Sequence, residues 1–433
     1  MQHNVEDETN NADELQPPPE DHPLLVQEEG KSSSHHIHVK ATKALVASKI
    51  LFLDGVRGLA ALLVFAQHVP EYLKNINVGA VAVDSFFVLS SFLLTWLFMK
   101  KSLRLVHERA GLRKWLYVLA DYFCKRFFRV YPLFAITCVV LWFMDVDSRR
   151  HYYLGDNPTA FDLFKTLTFE FHSRYFVFWT LPLEISYYFC IPVFVYGTIV
   201  LRRLWWIAYL PAYYWVISQG WTEYRTSHTG LLPHIPTFLA GSMAAVIFVK
   251  LDTWIKARKF QFQWFHTLVL RAIELTALGL FLSVVFRGLF FVWIHENVAP
   301  KSPGFPFTSV LLTILLVCEL LLPSPLSRMM EWNFLRFWGK VSFSVYLLHG
   351  FVIYNERLNF QTDYYCRLFS RLGMLALLTT ASYQLVEYPS QLLARRISKT
   401  LDEQEAKASM TMPVLCTFAS SEGSKGLGAG VIK

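Results

Sequence analysis

Long apolar stretches separated by short charged segments dominate the chain from about residue 50 onward. A helix needs roughly 20 mostly apolar residues to cross a bilayer, and its backbone must be hydrogen-bonded internally because lipid offers no partners. The pattern predicts an all-α, polytopic membrane helical bundle of about ten transmembrane helices. These spans are expected at about residues 50–70, 79–99, 127–146, 176–199, 204–219, 229–249, 271–292, 307–323, 338–356 and 368–388.

Three segments differ in pattern from these spans. Residues 1–44 are acidic and show no apolar period, which predicts a disordered N-terminal tail. The membrane domain is expected over residues 45–395, followed by a disordered cytoplasmic C-terminal tail over residues 396–433. Within the membrane domain, residues 107–125 alternate apolar and basic side chains at helical spacing, which predicts an amphipathic helix lying in the membrane interface.

The distribution of charge gives the bundle an orientation. The formal net charge is +8, but residues 1–34 carry nine acidic side chains against one lysine, which leaves about +16 on the rest. With the N-terminus in the cytoplasm, ten spans place about 25 basic residues in inner loops and about ten in outer loops, as the positive-inside rule requires. Both termini are therefore expected in the cytoplasm.

Composition narrows the function classes further. Charged residues make up 17% of the chain and hydrophobic residues 54%, whereas soluble proteins carry about 25% charged residues. A soluble enzyme, a disordered protein and a nucleic-acid-binding protein are therefore disfavoured. The six cysteines lack Cys-x-x-Cys spacing, so neither a disulfide framework nor a metal site is expected.

Ionisable residues inside the first span are candidates for chemistry, because a charge in a bilayer costs roughly 2.5–3.5 kcal/mol on insertion scales. Arg57 and His68 are eleven residues apart, which places them near one helix face and about 16 Å apart along the axis. Asp54 lies one turn before Arg57 and can pair with it. The alternative is that Asp54 and Arg57 only anchor the helix while His68 caps its outer end.

Arg126 and Arg129 precede the third predicted span at an i, i+3 spacing. This spacing points both guanidinium groups to one face, where they suit a phosphate group. They can equally be ordinary positive-inside anchors.

Further ionisable residues occur in the second, fourth and ninth predicted spans. Asp84 lies near the start of the second, Glu184 lies in the fourth beside two tyrosines, and His349 shares a stripe with Ser342 and Tyr346 in the ninth. Carboxylates and two histidines in an apolar interior, with an arginine pair at its cytoplasmic mouth, suit acid–base chemistry on an anionic, phosphate-bearing substrate.

Six blocks along the chain resemble, in order, the motifs of the acyltransferase 3 family of integral-membrane acyltransferases. One position departs from the family pattern, because Ser90-Ser91-Phe92 stands where Ser-Gly-Phe is usual, so a close backbone approach there is expected to be altered. The blocks are Asp54-Gly-Val-Arg57-Gly-Leu-Ala-Ala61 with His68, Val83-Asp84 to Leu93, Arg126-Phe-Phe-Arg129-Val-Tyr131-Pro132, Trp179-Thr-Leu-Pro-Leu-Glu184 with Tyr187 and Tyr188, Gly339 to His349, and Glu387-Tyr388-Pro389.

The resemblance implies transfer of an acyl group, often acetyl, from acyl-CoA to a hydroxyl of a carbohydrate, lipid or small molecule. It implies His68 as the catalytic imidazole and Arg57 as its partner. We expect Asp84 or Glu184 to orient that imidazole, and His349 to be a second acid–base group or a hydrogen-bonding residue of the channel.

The expected ligands follow from the same hypothesis. Arg126 and Arg129, with Arg57 further along, would hold the CoA phosphates. Acyl-CoA, with acetyl-CoA as the expected form, is a co-substrate, and no permanently bound cofactor is expected. The partners are thus acyl-CoA, a hydroxyl-bearing acceptor and the lipid bilayer, without nucleic acid.

Two other function classes remain open from the residues. A transporter would use the buried charges to line a substrate or proton path, although the internal repeats common in transporters are not evident. A receptor or scaffold would leave the arginine pair and the intramembrane histidines without a purpose. The pattern does not determine the acceptor or the membrane in which the protein resides.

Overall fold

A computed structural model describes residues 33–69, 71–72, 78–154, 161–170, 176–222, 230–286, 288–290 and 306–411. Residues 43–433 form one compact unit, and residues 1–42 form a second, of which only helical residues 33–42 are described. The predicted acidic tail therefore lies mostly outside the described residues. Helices and their connections, without any strand, make up the described part.

Eleven helices of ten or more residues occur in the described part, and we number them in chain order. They are α1 Ser33–His68, α2 Val78–His107, α3 Leu112–Phe143, α4 Thr180–Val200, α5 Trp205–Thr222, α6 Ile235–Arg258, α7 Trp264–Val285, α8 Pro306–Leu321, α9 Ser342–Ile353, α10 Tyr364–Ser382 and α11 Tyr388–Thr411. Shorter helices connect them, including Pro325–Met330 and Asn333–Lys340 before α9 and a π-helical turn Tyr383–Glu387 after α10.

Each of the ten predicted spans coincides with one of the helices α1 to α10, which confirms an all-α, multi-pass membrane bundle. By length and composition, six described helices can cross a membrane: Leu51–His68, Val78–His107, Leu112–Phe143, Thr180–Val200, Leu232–Arg258 and Trp264–Val285. Thr308–Leu321 and Ser342–Ile353 are shorter but also apolar. The count of ten spans and the cytoplasmic side of the termini stay predictions.

The amphipathic segment 107–125 forms the first part of a longer helix. α2 ends at His107, Arg109 adopts a left-handed φ of 50°, and α3 then runs without a break from Leu112 to Phe143. One polar side chain of its first half is buried against protein: Asp121 is 5% exposed and lies 2.9 Å from Lys101 of α2. The position of this segment in the membrane interface stays a prediction.

The C-terminal end of the membrane domain also differs from the predicted boundary at residue 395. α11 continues as a helix to Thr411 and packs along α3. The hydroxyl of Ser398 donates a hydrogen bond of 2.5 Å to the Asp121 carboxylate, which fixes this helix to α3. Residues 412–433 of the predicted tail lie outside the described part.

The centre of the bundle is formed by α2 and α6, each with 72% of its most apolar window buried. Gly241 of α6 makes their close approach possible, because a Cβ there would lie 2.1 Å from the hydroxyl oxygen of Ser91 and 2.6 Å from the carbonyl oxygen of Val88. The serine that replaces the usual glycine of the family motif is thus accommodated by a glycine on the opposite helix.

The middle of α1, around Asp54 and Gly58, packs backbone to backbone against the short helices that precede α9. A Cβ on Gly58 would lie 1.9 Å from the carbonyl oxygen of Leu335, and one on Gly339 would lie 2.0 Å from that of Asp54. Side chains larger than hydrogen cannot enter this contact without displacing a helix. The glycines beside Arg57 therefore fix the position of its helix.

Candidate functional site

A cavity of about 100 Å³ opens inside the bundle, and we call it the arginine cavity. Five helices line it, namely α1, α2, α3, α4 and α9. Its polar lining consists of Arg57, Ser90, Arg126, Arg129, Thr180, Glu184, Tyr188, Ser342 and Tyr346. Apolar side chains, among them Phe86 and Phe87, complete its wall.

Positive charge exceeds negative charge in this lining. Three guanidinium groups, those of Arg57, Arg126 and Arg129, face one carboxylate, that of Glu184. Arg57 also reaches Asp54, outside the cavity, at 3.3 Å, and Glu184 accepts a hydrogen bond of 3.0 Å from the Tyr188 hydroxyl. A cavity with excess positive charge in an apolar bundle favours an anionic ligand.

Two histidines from different helices meet near one end of the bundle. His68 is the last residue of α1, and His349 is buried near the end of α9, with 5.1 Å between their ring centroids. The sequence predicted both as candidates but could not show that they adjoin, because 281 positions separate them. We call these two residues the histidine pair.

Backbone carbonyls fix which ring nitrogen of each histidine carries the proton. The Nδ1 atom of His68 lies 2.8 Å from the Val64 carbonyl oxygen, and that of His349 lies 2.8 Å from the Tyr346 carbonyl oxygen. A carbonyl oxygen can only accept, so each Nδ1 must donate its hydrogen. In the neutral imidazole, Nε2 is therefore the proton acceptor at both residues.

Tyr346 connects the arginine cavity with the histidine pair. Its side chain lines the cavity, and its ring centroid is 6.1 Å from that of His349. Its hydroxyl donates a hydrogen bond of 3.1 Å to the Val177 carbonyl oxygen, which holds the ring between the two regions. The stripe of Ser342, Tyr346 and His349 predicted on one helix thus runs from the cavity to the histidine pair.

The other predicted residues are placed differently. Asp84 is 1% exposed on α2 and does not line the arginine cavity, whereas Glu184 does. Glu387 is 2% exposed and accepts a hydrogen bond from the Ser344 hydroxyl across the π-helical turn. Of the two carboxylates expected to orient the imidazole, Glu184 lines the arginine cavity, and the role of each toward His68 stays a prediction.

An aromatic residue that sequence reasoning missed covers the histidine pair. The Phe176 ring centroid lies 4.9 Å from that of His68 and 5.0 Å from that of His349. Phe176 lies in a turn before α4, where no helical periodicity marks a side chain as facing a site. Nothing in the sequence pattern distinguished it from the many other phenylalanines.

A polar cluster beyond the end of α1 anchors the segment that follows His68. Arg371 of α10 is 4% exposed and reaches the carboxylate of Glu71 at 3.4 Å and the amide oxygen of Asn359 at 2.7 Å. Burial raises the pKa of Glu71, but hydrogen bonds from Arg371 and Arg367 outweigh it and hold that pKa below its ordinary 4.5. The carboxylate is thus charged at neutral pH and ties the end of α1 to α10.

The described residues contain no group of three or more histidine, cysteine, aspartate or glutamate side chains that could hold a metal ion. Five cysteines in the described part are free thiols, at positions 124, 138, 190, 318 and 366.

Comparison with known proteins agrees with this architecture. The family model described as "Acyltransferase domain" matches residues 50–361. A stretch of 95 residues is 30% identical to "Protein 2 in picA locus" of Rhizobium radiobacter, covering 22% of this chain and 44% of that protein. The chain thus spans less than half the length of this relative, and no solved structure matches it. Because the family model covers most of the chain, including the arginine cavity and the histidine pair, the chain belongs to the acyltransferase 3 family of integral-membrane acyltransferases.

Proposed function

We propose that this membrane acyltransferase moves an acyl group from acyl-CoA, with acetyl-CoA as the expected donor, to a hydroxyl of a carbohydrate, lipid or small-molecule acceptor. His68 acts as the general base. The observation that carries the proposal is a cavity lined by three arginines and by Tyr346, whose ring lies beside the histidine pair. In the neutral form of both histidines, Nε2 is the proton-accepting atom.

The arginine cavity supports a phosphate-bearing donor. Arg126 and Arg129 lie one turn apart on α3 and both line the cavity with Arg57 of α1. Guanidinium groups bind phosphate through paired, charge-assisted hydrogen bonds. We assign these three residues to the phosphates of CoA, which places the thioester toward Tyr346.

The histidine pair supports base catalysis of the transfer. The Nε2 atom of His68 takes the proton of the acceptor hydroxyl while the hydroxyl oxygen bonds to the thioester carbonyl carbon. The resulting tetrahedral intermediate breaks its carbon–sulfur bond, and the CoA sulfur leaves with the proton returned by His68. Such base catalysis contributes about 10²–10⁴-fold in rate.

The remaining site residues take supporting roles in this proposal. Arg57 lies on the same helix as His68, eleven positions earlier, and supplies positive charge to the donor. Glu184 balances the guanidinium groups inside the cavity. His349 relays protons to and from His68, and the carboxylate of Asp84, which is buried on α2, helps to orient the His68 imidazole. A covalent acyl-histidine intermediate on His68 is the rival chemistry.

The test measures transfer from labelled acetyl-CoA by the full-length purified protein in lipid vesicles. His68→Ala should abolish label transfer while the chain still folds and inserts, because the base is lost. His107→Ala is the matched control, since His107 is exposed at the end of α2. Full transfer by His68→Ala would overturn the mechanism. Protein-bound label that is released by mild hydroxylamine treatment and is absent from His68→Ala would favour the acyl-histidine route.

A further inference from the structure

Two aromatic residues from different segments lie against the histidine pair. Tyr346 lies beside His349 and also lines the arginine cavity. Phe176 lies against both imidazoles, and Tyr354, directly after α9, has its ring centroid 5.5 Å from that of Phe176. In the predicted topology the segment before α4, which carries Phe176, lies at the outer end of the bundle.

Contacts with Tyr153 help to position Phe176. Its backbone N–H donates a hydrogen bond of 3.1 Å to the carbonyl oxygen of Tyr153, and its ring centroid lies 5.8 Å from that of Tyr153. The three residues after it, 177 to 179, are buried, whereas the Phe176 side chain is partly exposed. The ring of Phe176 thus packs against both histidines, while part of the residue remains accessible.

Gly350 provides the space in which this ring lies. A Cβ at position 350 would be 3.2 Å from the Cε1 atom of Phe176 and 3.2 Å from the carbonyl oxygen of Tyr152. These separations are shorter than ordinary van der Waals contact. The ring therefore covers His349 because the following residue of α9 has no side chain.

We propose that Phe176 is a water-excluding residue of the acyl-transfer site, which shields the histidine pair on its outer side until an acceptor displaces the ring. The inference rests on the proposed function. A base that activates an acceptor hydroxyl also activates water, and transferases prevent this by excluding water from the reacting groups.

Acyl transfer and hydrolysis compete for the same donor. In transfer, acyl-CoA and an alcohol give an ester and CoA thiol. In hydrolysis, acyl-CoA and water give a carboxylic acid, which ionises, and CoA thiol. Both reactions break the same carbon–sulfur bond with the same base, so loss of the shield increases hydrolysis without requiring a better donor site.

Phe176→Ala tests the shield directly. The full-length protein in detergent is given labelled acetyl-CoA without acceptor, and release of labelled acetate is followed. We expect Phe176→Ala to raise acetate release about tenfold, the change that a barrier lower by about 1.4 kcal/mol produces. Phe176→Leu keeps an apolar side chain over the pair and should stay close to the unaltered protein.

Two controls separate shielding from general damage. Phe360→Ala removes a phenylalanine that is 82% exposed and should leave acetate release unchanged. Phe176→Ala combined with His68→Ala should show no acetate release, because the hydrolysis uses the same base. A merely structural role of Phe176 would lower hydrolysis and transfer together instead of raising hydrolysis.

Gly350→Ala provides an independent route if Phe176→Ala fails to fold. The added methyl group pushes against the edge of the ring, so acetate release should rise in the same direction, by less than in Phe176→Ala, with Phe176 still present. Unchanged acetate release in the folded Phe176 or Gly350 variant, with labelled acetyl-CoA still bound, overturns the shield but leaves the proposed function standing. Failure of the unaltered protein to bind labelled acetyl-CoA overturns the proposed function itself.

Discussion

His68 and His349 show how the backbone prepares a side chain for chemistry. Each donates its Nδ1 hydrogen to a carbonyl within the preceding turn of its own helix. A helix carbonyl oxygen has two lone pairs, so it can accept this bond in addition to its intrahelical one. The carbonyl in the preceding turn therefore determines that Nε2 is the basic atom of each neutral imidazole.

Replacing His349 tests whether it takes part in proton transfer. We expect His349→Ala to lower kcat for transfer about 10²-fold, the lower end of acid–base contributions. The KM for acetyl-CoA should change little, because His349 does not line the arginine cavity. His349→Gln keeps a hydrogen-bond donor but cannot carry a proton, and it should remain equally slow.

Steady-state kinetics with labelled acetyl-CoA decide this prediction. Recovery of activity in His349→Gln would assign His349 to hydrogen bonding alone. A raised KM with unchanged kcat would instead assign it to donor binding.

For Arg126 and Arg129 of α3 we expect the opposite effect, a change in KM and not mainly in kcat. Arg126→Ala or Arg129→Ala removes charge-assisted hydrogen bonds, each worth about 1.5–3 kcal/mol, from the donor phosphates. The KM for acetyl-CoA should rise between about tenfold and a hundredfold, with a smaller effect on kcat. Arg129→Lys keeps the charge without the planar fork and should be intermediate.

Arg113→Ala is the matched control for these arginines, because Arg113 is exposed on the same helix. Its KM should equal that of the unaltered protein. An equal rise in KM for Arg113→Ala and Arg126→Ala would mean that the arginines serve only membrane orientation.

At the scale of elements, one glycine of α1 and one of the short helix Asn333–Lys340 explain how Arg57 is held. Gly58 and Gly339 let two backbones touch where the helix carrying Arg57 meets the segment before α9. α9 in turn carries Tyr346 and His349. This contact therefore sets the distance between parts of the site that belong to different helices.

Gly58→Ala should destabilise the protein, because the new methyl group meets the Leu335 carbonyl and overpacking costs typically about 1–3 kcal/mol. Gly197→Ala is the matched control, since a Cβ at that position of α4 meets nothing within 4 Å. Thermal unfolding in detergent should show a lower Tm for the first variant and an unchanged or slightly higher Tm for the second, as alanine favours helix. Equal Tm values would contradict the contact.

At the scale of the whole molecule, the charge bias predicts which loops share a side of the membrane. Cys366 is exposed near the start of α10, a position that ten spans with a cytoplasmic N-terminus place outside. A membrane-impermeant maleimide applied to the outer side should label Cys366 without permeabilisation. A cysteine introduced at Lys259, between α6 and α7, should be labelled only after permeabilisation.

The same labelling can overturn the topology. Outer-side labelling of both positions in sealed membranes would contradict the count of ten spans. Labelling with the two sides exchanged would preserve the count and reverse the orientation of the whole bundle.

Hydropathy alone predicted the apolar helices because the requirement for crossing a membrane is local. About 20 consecutive apolar residues match the thickness of the bilayer core, and as a helix they form all their backbone hydrogen bonds within the segment. The amphipathic helix expected over residues 107–125 forms the first part of α3, and its Asp121 has partners in the protein, Lys101 of α2 and Ser398 of α11. Its place in the membrane interface stays a prediction. Amphipathic periodicity shows that a face is polar, but it does not show whether lipid headgroups or protein will meet it.

The functional site likewise has features that the sequence predicts locally and features that depend on contacts between distant segments. Helical spacing alone placed Arg126 with Arg129, and Tyr346 with His349, because residues three or four positions apart share a helix face. The meeting of His68 with His349, the burial of Asp84 away from the cavity, and the cover provided by Phe176 depend on contacts between segments distant in sequence. Sequence by itself thus determined the family, the membrane helices and the reactive residue types. Only the packing of the helices decided which of those residues meet, because that packing depends on close approaches between elements that no single-helix period encodes.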